Sequence, residues 1–159
     1  MDLVMVTVGV LIHVVAGSWV SSPWVLPDLT LIVLTLVLTR SSQPPAVRPI
    51  LLTSLLVMWF TARHPLLAAA SYLGVGWLIR TLASRWDVRQ GVFPLVIIGL
   101  AEAVLLGVWL LTIGPIPRAP VAAAATRWVV TLGCGWLVVA FVPARWSPHL
   151  RGLRQQAEL

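Results

Sequence analysis

The chain has 159 residues, of which 59% are hydrophobic and 10% charged, more apolar surface than a soluble domain of this length can hide. Its net charge of +6 does not point to nucleic acid, because the eleven basic residues, all arginine, are scattered over the connections instead of forming one stripe. The composition therefore predicts an all-α, polytopic integral membrane helical bundle over positions 1–144, followed by a short basic tail at 145–159.

Six apolar runs follow in order, at about 3–21, 24–39, 49–62, 65–84, 91–113 and 121–143. The breaks between them read "SSPWVLPD", "RSSQPPAVRP", "ARHP", "SRWDVRQ" and "GPIPRAP". Proline in four of them ends helices by removing an amide donor and restricting the residue before it. The first run lacks the basic start and short apolar core of a cleaved signal peptide, having Asp2 where an arginine would be expected, and reads as a spanning helix. At its middle His13 shares a face with Gly9, Ala16 and Gly17, a surface suited to close helix packing. His13 serves either a buried hydrogen bond or a proton relay with a carboxylate at similar depth.

The second run is entered through Pro27 and Asp28, which suit a first helical turn: proline loses no needed donor there and the acid meets the positive end of the helix dipole. Placed at the outer start of that helix, Asp28 is expected about half a membrane away from Glu102. The third run, "PILLTSLLVMWFTA", rises only about 21 Å as a helix, short of the ~30 Å hydrocarbon core. In the fifth run, Glu102 stands in the middle of the otherwise apolar "GVFPLVIIGLAEAVLLGVWLLTIG", beside a stripe formed by Gly99, Ala103 and Gly107 that marks a close crossing. In the sixth, Arg127 lies about 9 Å from the outer helix end. It either pairs with Glu102 or snorkels outward to headgroups. Ionisable groups at such depth cost about 3 kcal/mol each and face the bundle or water, which makes His13, Glu102 and Arg127 the intramembrane residues to explain.

The arginines set the orientation. With the N-terminus cytoplasmic, Arg40, Arg48, Arg80, Arg85, Arg89, Arg145, Arg151 and Arg154 fall on the inner side, against Arg63 and Arg118 outside. The bias predicts six transmembrane helices with both termini in the cytoplasm, and the basic tail either lies against anionic membrane lipids or is a frayed, solvated end. Trp24, Trp59 and Trp109 fall near the outer boundary and Trp86 and Trp146 near the inner one, while Trp77 and Trp136 are expected to pack between helices.

Catalytic constellations are missing from this pattern. His13, His64 and His149 fall at three levels and cannot converge on a metal, and no HExxH, paired cysteines or acidic cluster is present. The lone Cys134 sits in an apolar run as a small packing residue. With no GxSxG or phosphate loop either, no catalytic residue, metal or cofactor is expected, and the chain reads as a non-enzyme.

The stretch "WVLPDLTLIVLTLVLTR", Trp24 to Arg40, resembles the second helix of the bacterial rod shape-determining protein MreD family, which enters that helix through a Pro-Asp-Leu step and leaves it through arginine. "SYLGVGWLIRTLASR" is similar to the family's fourth helix with its basic exit. The third run departs from the family pattern, having neither a glycine nor an acid in "LLTSLLVMWFTARHP". The resemblance implies a non-enzymatic scaffold of the cell-elongation machinery in the bacterial inner membrane. Such a scaffold binds an MreC-like anchored protein and works with MreB, RodA and a class B penicillin-binding protein in peptidoglycan synthesis and cell shape. Pro27 and Asp28 are the residues that carry the family-like motif. On this reading the small-residue faces are partner or homodimer interfaces, with no role for nucleic acid. The family's layout is also similar to that of the substrate-binding S-components of vitamin transporters. That rival reading makes His13, Glu102 and Arg127 the polar pocket of a small-molecule binding component or carrier.

Overall fold

The computed structural model describes residues 2–20, 26–40, 47–61, 64–85, 92–113 and 118–141. They form six helices: α1 (Asp2–Trp19), α2 (Leu29–Arg40), α3 (Val47–Phe60), α4 (Pro65–Arg85), α5 (Phe93–Ile113) and α6 (Arg118–Phe141). The basic tail with His149, and the boundary tryptophans Trp24, Trp86 and Trp146, lie outside the described residues. Proline falls in the first turn of α3, α4, α5 and α6, at Pro49, Pro65, Pro94 and Pro120, where the amide it lacks has no helical partner anyway.

The protein is an all-α, multi-pass helical membrane protein. By length and composition α1, α4, α5 and α6 can cross a membrane, whereas α2 and α3 are shorter apolar helices. The expected second run, 24–39, is broken at Pro27, and α2 proper starts at Leu29. Its 12 residues rise only about 18 Å.

This short helix is the centre of the bundle. α2 touches all five other helices, which form an arc around it in the order α1, α3, α4, α5, α6. The arc is open, because α1 and α6 make no contact among the described residues. Leu31, Ile32, Leu34, Leu36, Val37 and Leu38 are all buried, as are Thr30, Thr35 and Thr39, so α2 is surrounded by protein on every side. One side packs with Ile50 of α3, Val75 and Ile79 of α4 and Ile97 of α5, and the other with Ile98 of α5 and the half-buried Leu132 and Cys134 of α6.

Close approaches are made by particular glycines. A methyl group at Gly9 would meet Val33 of α2 at 2.9 Å, and one at Gly76 would meet Ile50 of α3 at 2.7 Å. The stripe expected on α5 works at one position only: Gly99 faces Leu132 of α6, whereas Ala103 is exposed and Gly107 has open space around it. Gly17 is likewise loosely packed, with only Leu26 near it.

Two tryptophans depart from expectation. Trp77 is 46% and Trp136 59% exposed on the surface of the bundle, not packed between helices. On α4 the buried positions are Tyr72, Val75, Gly76 and Ile79, a helical stripe that leaves Trp77 on the next face round. Trp136 is turned outward in the same way by the burial of its neighbour Gly135.

Candidate functional site

Asp28 is the N-cap of α2. Its Oδ1 accepts from the Leu31 amide at 2.9 Å, satisfying one of the unpaired donors of the first turn, and its own carbonyl accepts the first helical bond from Ile32. Because α2 is short and central, this cap is buried deep in the bundle, and Asp28 is 0% exposed. The expectation that Asp28 and Glu102 differ in depth by half a membrane is corrected: both bond the same arginine.

Arg127 reaches inward from α6. Its Nε donates to Glu102 Oε1 at 3.0 Å and its Nη2 to Asp28 Oδ2 at 2.9 Å. Of the two alternatives at this residue, pairing with Glu102 is the one realised, and the guanidinium is shared with a second carboxylate. Glu102 is also 0% exposed, and its Oε2 has no hydrogen-bond partner among the described residues. The two carboxylates meet on either side of the guanidinium, each with its own bond to it.

Two further residues complete the cluster. The Tyr72 hydroxyl of α4 donates to Asp28 Oδ2, and the Asp28 amide donates to Thr131 Oγ1 of α6 at 3.0 Å. Sequence reasoning passed over both. The signal for Tyr72 was present: it is the only tyrosine in the chain, and a phenol inside an apolar bundle needs a polar partner. Thr131 gave none, since threonines in apolar helices commonly bond their own backbone, as Thr53 and Thr126 do here. Beside the cluster, Trp128 Nε1 donates to the Gly99 carbonyl at 2.9 Å and fastens α6 to α5.

The part of the bundle beyond the start of α2 holds a cavity of about 510 Å³. Its floor is Asp28, Tyr72 and Arg127, with His13 at one side, and Phe60 and Trp109 are among its largely apolar walls. Glu102 stands behind Arg127 and is not part of the lining. Arg127 alone of the three charged groups is partly open, with 24% of its side chain exposed. His13 lines the cavity together with Asp28, and its Nδ1 is buried without a partner among the described residues. His64, expected at another level, lines the same cavity. No group of three or more histidine, cysteine, aspartate or glutamate side chains is arranged to hold a metal among the described residues. Arg127 carries one positive charge against two carboxylates, so chemically the cluster can fasten helices and present a guanidinium edge and histidine nitrogens to a bound molecule.

No protein-family model, curated protein or solved structure matches the chain.

Proposed function

We propose that the chain is a non-enzymatic scaffold of the bacterial inner membrane, a distant counterpart of MreD. On this reading its six helices sit with both termini in the cytoplasm and the arginine-rich connections inside. The observation that carries the reading is the position of the Pro27–Asp28 step. The two residues through which the chain most resembles the family start the central helix, and Asp28 ties that helix to α4 and α6. A fixed core leaves the outer faces of α1 and α6, with Val4, Ile12, Val15, Val129 and Leu137 exposed, free for lipid or for partner helices. The test is affinity capture of the tagged protein from its own membranes in mild detergent, with mass spectrometry of what accompanies it. Recovery of an MreC-like protein with RodA and its penicillin-binding partner supports the scaffold. Capture of an ATPase pair with a coupling subunit, and none of these, would overturn it.

A second reading, a small-molecule binding component, is favoured by one specific observation. His13 and Arg127 line a single cavity together with Asp28 and Tyr72, which is the arrangement a polar-floored binding pocket requires.

A further inference from the structure

We propose, building on that second reading, that the cavity binds a neutral, planar small molecule that presents a carbonyl-type acceptor to Arg127 and N–H or O–H donors to the surrounding hydroxyls. The volume of about 510 Å³ is within the range of small-molecule sites. The direction of the polarity gradient argues against a bilayer lipid. The charged groups of the lining sit at the buried start of α2, where Asp28 is fully buried, whereas a lipid keeps its polar group at the surface and would lay its tail on Arg127.

Charge and hydrogen-bond accounting fix the ligand class. A guanidinium has five N–H donors, and the carboxylates take one from Nε and one from Nη2. What remains is the outer fork, Nη1 and the second hydrogen of Nη2, on a side chain that two ion pairs hold in place and that lines the cavity. A planar acceptor group matches that fork. On the lining Asp28 and Arg127 already pair with each other, so an anion would meet the Asp28 carboxylate and a cation the guanidinium, neither finding an uncompensated charge. A neutral acceptor avoids both penalties.

The hydroxyls around the cavity specify the rest. Ser71 donates to the Leu67 carbonyl, Thr112 to the Trp109 carbonyl and Tyr72 to Asp28, so each has spent its hydrogen and offers lone pairs to the ligand. The aromatic rings of Phe60 and Trp109 supply apolar walls for a flat molecule.

The experiment uses the full chain in lipid nanodiscs and three fluorescent probes of one shape: carbostyril, a neutral bicyclic lactam, and its carboxylate-bearing and trimethylammonium-bearing derivatives. Carbostyril is expected to bind saturably and at least about tenfold more tightly than either charged derivative. Ala68 also lines the cavity and makes no bond to the ionic cluster; Ala68→Trp, which adds an indole to that wall, is expected to abolish binding with the unfolding temperature unchanged. Arg127→Lys keeps the charge but not the fork, and is expected to weaken carbostyril roughly tenfold. Tighter binding of a charged derivative overturns the ligand class and leaves the pocket standing. Absence of saturable binding by all three probes, binding indifferent to Ala68→Trp, or a bilayer lipid co-purifying in the cavity overturns the small-molecule reading as well.

Discussion

Between Leu31 and Leu38, α2 is surrounded by Ile50, Val75, Ile79, Ile97 and Ile98; beyond its N-terminus the surrounding helices enclose a cavity floored by a carboxylate, a guanidinium and a phenol. The same long helices, α4 and α5, contribute to both regions, so the contrast does not come from their composition. It comes from where α2 ends. A central helix that stopped at the bundle surface would carry its cap into water or headgroups. This one stops inside, and the capping carboxylate then needs a buried cation, which α6 supplies. The closed region depends on packing and the open one on charge balance.

The largest expected effect tests that charge balance. Arg127→Met leaves Asp28 and Glu102 buried without their cation and should cost about 3–5 kcal/mol in an unfolding titration in detergent. The pair Glu102→Gln and Arg127→Gln should be less than additive in a double-mutant cycle, and strict additivity would show that the ion pair contributes nothing. In the closed region, Leu34→Ala should cost roughly 2–5 kcal/mol, with no change in probe binding at the cavity; a loss of binding would mean that the two regions are coupled.

Smaller effects sharpen the contrast. Tyr72→Phe removes one hydrogen bond to a charged group and should destabilise by about 1.5–3 kcal/mol. The glycines then separate by site. Gly76→Ala forces a methyl group against Ile50 and should cost about 1–3 kcal/mol, while Gly107→Ala enters open space and should be neutral or slightly stabilising, as measured by the midpoint of the same titration. Equal effects at the two positions would contradict the packing described for α3 and α4.

Sequence alone determined the all-helical class and the six helices, because proline and the length of each apolar run act locally, while the start of α2 at Leu29 differs from the run expected at 24–39. It also determined that Glu102 and Arg127 need explaining, since an ionisable group in an apolar run is costly wherever the helix lies. The partner of Glu102 was within reach because helical rise on consecutive antiparallel helices places the two residues at nearby depths. Only the tertiary structure decided that α2 is the centre of the bundle, because a largely apolar helix looks the same whether its neighbours are lipid or protein. That single fact moved Asp28 from a surface cap to the floor of a cavity and brought in Tyr72 and Thr131 from helices distant in sequence. It also settled which glycines matter: a missing side chain counts where another helix comes within a methyl's width, at Gly76 and not at Gly107, and spacing along one helix carries no information about that distance.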